Sequence, residues 1–498
     1  MDAEFKFQVR LFGSWNCESG QDLFQLPTFK FAKIHAVFTM SENHSHGGNR
    51  YVSLLQEFSI PLLVGVVAAL FCANVNQGLY DKLVHGTWSF VTGDEYHGHG
   101  DSHEEAEHGA HDDHAVDKHQ HDDHEQDDHA ADSAKITSGH GGDHVWWHHY
   151  ATLHFVINDI FMVFFFGIAA KEIAEAFLPG GALNPPSKAI NPLLGTIGGV
   201  LGPVGAYFLF NSIMGDPAWS NGWGIPTATD IALAWLIARL VFGNGHPAIA
   251  FLLLLAVADD GIGLMIIALF YPTAPPEWAN LLWMIPGIAI AYTLRRMNVK
   301  SWVPYIFIGG AFSWWALFSA NLHPALALVP IVPLLPGPKR DEGLFRDDVT
   351  TIETDTLNNF EHAMKAFVDF GLFFFAFANA GVPFSNVNEL TWIVLLSLLV
   401  GKTVGIFLFS YVGELMGFKM PEGMNVRHLF VAGVVAGLGL TVALFVAGQA
   451  FKAPFIEAQG AAKMGALFSG GIAILALVLG KMLGVKDGAG SSDSAAPH

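Results

Sequence analysis

Residues 247–271 read PAIAFLLLLAVADDGIGLMIIALFY, an apolar run with no lysine or arginine and two adjacent carboxylates, Asp259 and Asp260, near its middle. At 1.5 Å per residue the run is long enough to cross the roughly 30 Å hydrocarbon core of a bilayer as one α-helix. An ionisable side chain at mid-membrane costs about 2.5–3.5 kcal/mol on insertion scales, so such a residue marks a functional position by default. Neighbours on a helix point about 100° apart, so the two carboxylates face different surroundings. One looks into an aqueous funnel and the other toward a neighbouring helix.

The rest of the chain has the same character. Of 498 residues, 52% are hydrophobic and only 14% charged, where a soluble domain averages about 25% charged. Further apolar runs lie near 58–76, 150–178, 190–213, 224–243, 279–295, 302–320, 322–337, 363–384, 390–415, 427–448 and 464–485. The reading is an all-α integral membrane protein of about twelve spans. The seventh and eighth runs are separated by a bend at Asn321-Leu322-His323-Pro324.

With the N-terminus inside, the even-numbered spans exit to the cytoplasm. Their loops and the tail then hold Lys188, Arg295, Arg296, Lys300, Lys339, Arg340, Arg346, Lys419, Lys481 and Lys486, against Lys82, Lys118, Lys135, Lys452 and Lys463 opposite. This asymmetry puts both termini in the cytoplasm.

The net charge of -20 is concentrated in residues 93–147, which hold 16 Asp and Glu against two lysines and 12 of the 24 histidines. That stretch is read as an external insert within a transporter domain spanning 57–485, followed by a tail at 486–498. Residues 1–56 are an N-terminal extension without a signal-peptide pattern, and Met40 is an alternative start. No basic patch suggests nucleic acid. Cys17 and Cys72 imply no disulfide framework.

Two other runs carry buried-charge candidates. The fourth reads Gly224-Ile225-Pro226-Thr227-Ala228-Thr229-Asp230-Ile231, and the tenth carries Gly401-Lys402-Thr403. Pro226 removes a helix hydrogen bond, which Thr227 and Thr229 are suited to replace. Gly433, Gly437, Gly439 and Thr441 make a second weak point in the eleventh run. Half-helices meeting there leave unbalanced dipoles, whose positive ends suit Asp230 and negative ends Lys402. Adjacent carboxylates removed from water are suited to exchanging a proton for a hard cation that wants oxygen ligands. The blander reading is a structural ion pair with a spare carboxylate.

These stretches are where a family resemblance enters. IPTATDI at 225–231, ADDG at 258–261 with IIALFY at 266–271, FAFANAG at 375–381, GKTVGI at 401–406 and Pro421-Glu422-Gly423 resemble, in order and spacing, the NhaA family of sodium/proton antiporters. The resemblance implies a secondary transporter, not an enzyme, with inverted repeats and two interrupted, crossing helices. It works by alternating access, without a cofactor, in the bacterial inner membrane. It would exchange intracellular Na+ or Li+ for external H+, electrogenically and under pH regulation. On this resemblance Asp260 binds the sodium ion and the exchanging protons, Asp259 is its partner and pairs with Lys402, and Thr229 and Asp230 stand at the crossing. His323, Glu361 and Glu175 take part in pH regulation. A homodimer is also implied, through a short external segment that the insert replaces or extends.

The sequence departs from the family where the second span ends in Ala169-Ala170-Lys171-Glu172-Ile173-Ala174-Glu175 rather than Gly-Leu-Glu-x-Lys-Arg-Glu, so that only Glu175 aligns. It also reads Gly261-Ile262-Gly263 after the Asp pair. His111, His114, His121 and His124 of the insert alternate with aspartates, a pattern able to chelate zinc or nickel. This favours, as the alternative, a transition-metal/proton exchanger. An intramembrane aspartyl protease also needs two membrane Asp residues, but its Gly-x-Gly-Asp motif is missing.

Overall fold

The computed structural model describes residues 60–86, 152–179, 186–337, 355–452 and 454–485, and every regular element among them is a helix. Residues 1–56 with Met40, the insert at 93–147 with its four named histidines, and the tail at 486–498 lie outside the described residues. In chain order the helices begin with α1 (Ile60–Val75), α2 (Gln77–Val84), α3 (Leu153–Ala176) and α4 (Pro186–Met214). Next come α5 (Pro217–Thr227, wound as a 3-10 helix), α6 (Ile231–Phe242), α7 (Pro247–Phe270), α8 (Met284–Arg296) and α9 (Tyr305–Ser319). The last are α10 (Thr356–Asn379), α11 (Glu389–Leu415), α12 (Val426–Ala436), α13 (Thr441–Ala450) and α14 (Ile456–Met482).

Five of these, α3, α4, α7, α11 and α14, are each long and apolar enough to cross a bilayer. The pairs α5–α6 and α12–α13 bend by 59° and 49° at short breaks, and each pair taken together is long and apolar enough for a broken span or a re-entrant loop. Outward-facing side chains such as Phe71, Phe307, Leu408 and Ile474 stay exposed, which suits a hydrocarbon solvent and not water. The molecule is an all-α integral membrane protein.

Three boundaries differ from the hydropathy reading. Helix α10 begins at Thr356 because Asp355 caps it, accepting from the Asn358 N–H at 2.9 Å; its polar first turns hide it from a hydropathy count. Helix α14 begins at Ile456, ahead of the apolar run; Glu457 and Gln459 lower the hydropathy of its first turns. The run at 322–337 is not a helix. It holds two short 3-10 turns, Pro324–Leu326 and Val332–Leu334, joined by bends. Pro324, Pro330, Pro333 and Pro336 each lack the N–H that a continuous helix needs. Such backbone survives at membrane depth only when packed inside protein, and Leu328, Ile331 and Val332 are buried. The bend before it turns on Asn321, whose φ is 59°.

A repeat organises the rest: long helix, broken helix, long helix, first as α4, α5–α6, α7 and again as α11, α12–α13, α14. The leading helices α4 and α11 cross at matched glycines. A side chain at Gly198 would strike the Gly405 carbonyl, and one at Gly405 would strike the Gly198 carbonyl. Such backbone-to-backbone packing needs small residues on both helices. The two interrupted helices also meet, where Asp230 approaches Leu438.

Candidate ion-binding site at the crossing of the broken helices

Helix α5 stops because Pro226 supplies no N–H, and the Thr227 Oγ1 hydroxyl donates back to the Gly224 carbonyl at 2.7 Å. Ala228 and Asp230 have non-helical backbone, and α6 starts afresh at Ile231. Opposite, α12 ends at Ala436 and α13 restarts at Thr441. The two breaks touch directly: the Asp230 N–H donates to the Leu438 carbonyl at 2.7 Å.

Each half-helix leaves unpaired backbone groups at its end. Asp230 serves two N-termini at once. Its Oδ1 accepts from the Leu233 N–H of α6 at 3.1 Å and its Oδ2 from the Thr441 N–H of α13 at 3.2 Å. One buried carboxylate thus meets two positive helix ends. At the opposite-signed ends, the Ala436 carbonyl of α12 lies 3.0 Å from the Thr229 hydroxyl.

Asp259 and Lys402 are both fully buried, and the Lys402 ammonium donates to Asp259 Oδ2 at 2.7 Å. Lys402 also donates to Thr229 Oγ1, whose proton is within reach of Asp259 Oδ2 at 3.1 Å. Lys402 is aimed here by an inserted π turn, Ser397–Gly401, immediately before it; such bulges rotate the residues C-terminal to them and recur at functional sites. Asp260, on the next residue of α7, is 9% exposed and makes no hydrogen bond or ion pair with either group among the described residues. Oδ1 of Asp259 and Oδ1 of Asp260 have no hydrogen-bond partner among the described residues. Gly199 of α4 lies against the free oxygen of Asp259, a place where bulk would intrude.

The structure therefore brings together Thr229, Asp230, Asp259 and Lys402, with Asp260 beside them. Among the described residues no three His, Cys, Asp or Glu side chains are placed to hold a metal. What the crossing offers is two carboxylates with unused oxygens, a hydroxyl and backbone carbonyls, the donor set of a hard cation.

Glu175 and Glu361 meet elsewhere, around a residue with no role in the sequence reading. The Lys171 ammonium lies 2.7 Å from Glu175, 2.5 Å from Glu361 and 3.5 Å from Glu172. The local signal was present: a lysine inside an apolar run with glutamates at i+1 and i+4. The contact to Glu361 needed the fold. His323 is buried at the bend, where its Nδ1 accepts from the Ala325 N–H at 3.3 Å and its ring meets Phe445 of α13 edge-on at 4.8 Å.

Residues 132–483 match the family described as Na+/H+ antiporter 1. The chain belongs to that family. It is 49% identical over 440 residues to a Na(+)/H(+) antiporter NhaA of Desulfitobacterium hafniense, covering 87% of this chain and 96% of the relative. A namesake from Geobacter metallireducens is 49% identical over 438 residues, 87% of this chain and 98% of its own. One from Jannaschia sp. is 43% identical over 361 residues, 67% and 84% of the two chains. Membership in this antiporter family makes the chain a multi-pass membrane transporter.

Proposed function

We propose that the chain exchanges intracellular Na+, or Li+, for external protons at the crossing of the broken helices, by alternating access. Asp260 takes the cation or the protons, Asp259 and Thr229 supply further oxygens, and Lys402 holds Asp259 when no cation is bound. Asp230 balances the helix ends and stays out of the exchange. The observation that carries this reading is the sharing of Asp259 Oδ2 by Lys402 and Thr229 while Oδ1 of both adjacent aspartates is free. A cation entering between the carboxylates competes with the Lys402 ammonium, and protonation releases it again. More than one proton entering per Na+ leaving makes the cycle electrogenic.

The oxygen donor set favours Na+ over zinc or nickel, which prefer imidazole and thiolate. The excess of Lys and Arg in the even-numbered exits favours cytoplasmic termini in a bacterial inner membrane. Glu175, Glu361 and His323 are proposed to tune the response to pH, since Glu361 and His323 each join separate elements through a titratable group and Glu175 shares Lys171 with Glu361. The homodimer is likewise part of the proposal. Sodium-dependent proton flux in proteoliposomes, with and without an imposed potential, tests the core claim. Flux that responds to sodium and to potential supports it; proton movement indifferent to sodium sinks it.

A further inference from the structure

Helix α7, which carries both aspartates, is tied at each end to half-helices of both broken spans. At its C-terminal end the Tyr271 hydroxyl donates to the Asn221 carbonyl at 2.8 Å and accepts from the Gly224 N–H at 2.9 Å, both on α5. The Asn221 side chain in turn donates to the Ala450 carbonyl, the last of α13, at 2.7 Å. None of these groups titrates near neutrality. The N-terminal end is built differently. His246 caps α7, its Nδ1 accepting from the Ala248 N–H at 3.1 Å, and its ring stacks on Phe242, the last residue of α6, at 5.5 Å. The His428 ring of α12 lies 4.4 Å from it. His428 Nδ1 accepts from the Asn425 N–H at 3.1 Å, closing a capping box, and its Nε2 is 3.2 Å from the Val485 carbonyl beyond α14.

Both Nδ1 atoms accept from backbone N–H groups, so both rings are neutral with the proton on Nε2, and His428 donates that proton to Val485. We propose that His246 and His428 form an acid-released latch, positioning residues that hold the inner end of the aspartate-bearing helix in register with Thr229 and Lys402 only while both are neutral. Protonating either ring turns an acceptor into a donor facing an N–H and breaks a helix cap. Protonating both sets two cations 4.4 Å apart.

Charged side chains on the surrounding elements do not offset this. Arg239 of α6 donates to Asn244 Oδ1 at 3.1 Å and lies over Trp235. Arg427 of α12 reaches the Leu483 carbonyl, and Lys481 stands on α14. The nearby acids are Glu414 of α11, which accepts from the Met420 N–H at 2.6 Å, and Glu422. Neither forms a salt bridge with either histidine among the described residues. His246 sits in the turn before α7, where burial, and then its neighbour His428, holds its imidazole below the usual range. A histidine so depressed supports the fold while neutral, and that support is lost as pH falls below about 6.5 toward the lowered value.

The inference rests on the exchange proposed above, and the test separates the two. Asparagine caps helices well and glutamine suits the third position of a capping box, so H246N/H428Q keeps the bonds and removes the titration. Two curves are recorded from pH 5 to 8.5: melting of the detergent-solubilised protein and sodium-dependent proton flux in proteoliposomes. Wild type should lose melting temperature below about pH 6.5, and the double variant should lose less. The acid limb of flux in the variant should move roughly half a unit or more to lower pH. Superimposable melting curves would overturn the latch, even were wild type to exchange nothing. A shared melting difference with an unmoved acid limb would overturn its role in exchange. The single variants H246N and H428Q, each expected to move part of the way, guard against a folding defect in the double one.

Discussion

Two buried lysines gather the acids of this bundle, and they do so in opposite ways. Lys402 stands where helices are broken, bonded to one carboxylate, Asp259, while Asp260 on the next residue stays outside the pair. Lys171 stands on an unbroken stretch of α3 and is gripped by Glu175 and Glu361 with Glu172 close by. The first arrangement leaves buried carboxylate oxygens without a partner; the second draws three carboxylates onto one ammonium and leaves none of their oxygens both buried and unpartnered. A cluster with idle oxygens and a displaceable ammonium can trade charge with solvent. A cluster drawn onto its lysine fixes α3 to α10 instead. The difference lies in the backbone: half-helix ends bring carbonyls, N–H groups and a hydroxyl to the first cluster, and regular helices supply none to the second.

The largest effect should come from the idle oxygens. Asp260→Asn should reduce sodium-dependent proton flux to background while leaving melting equal to or above wild type, because it removes a buried carboxylate that no cation compensates. Flux at the wild-type rate would assign the exchange elsewhere. Lys402→Ala should damage both properties. Removing one partner of a buried pair costs about 3–5 kcal/mol, read as a drop in melting temperature, with flux lost alongside. Unchanged melting would show that the 2.7 Å contact contributes nothing. If the comparison holds, Lys171→Met should lower the melting temperature, by less than Lys402→Ala because Glu172 and Glu361 keep contact with solvent, yet leave exchange measurable. Complete loss of exchange in a folded Lys171→Met protein would erase the distinction between the two lysines. A smaller step is Thr229→Val, which leaves the Lys402 ammonium and the Ala436 carbonyl each short of a partner. It should weaken sodium dependence several-fold and cost about 1–3 kcal/mol; unaltered sodium affinity would take Thr229 out of the ligand set.

How much of this was legible beforehand depends on how local the cause is. The break in α5–α6 was readable because Pro226 and two threonines are adjacent in sequence, and the break in α12–α13 because Gly437 and Gly439 are. The mid-membrane charges were readable because they interrupt otherwise apolar runs. The proline-spaced stretch at 322–337 carried its own warning, since the four prolines between 324 and 336 deny a helix its donors, yet hydropathy alone cannot see a missing N–H. The early start of α10 was hidden by its polar first turns, in which His362 and Lys365 face outward and Thr356 is the buried polar side chain. The Lys171–Glu361 bond and the His246–His428 contact join positions nearly two hundred residues apart, and no local pattern encodes such a meeting. The double use of Asp230 as a cap needs both breaks to coincide in space, a fact about the repeat and not about either segment.

The smallest effect on exchange is expected from the largest change in sequence. Every group in either lysine cluster lies outside residues 93–147, so deleting 95–143 should leave sodium-dependent flux close to wild type. The same deletion removes 11 of the 24 histidines, among them His111, His114, His121 and His124, and should remove most of the affinity for zinc or nickel. Unprotonated imidazole is the ligand, so zinc binding by the full-length chain should weaken as pH falls through about 6.5. Calorimetric titration with zinc at pH 7.5 and 5.5, on both forms, reads this directly. Equal zinc uptake by the two forms would refute metal binding by the insert. Loss of exchange in the deletion, with melting intact, would mean that the division between a charge-trading crossing and everything else has been drawn too tightly, and that the acidic insert takes part in delivering cations to Asp260.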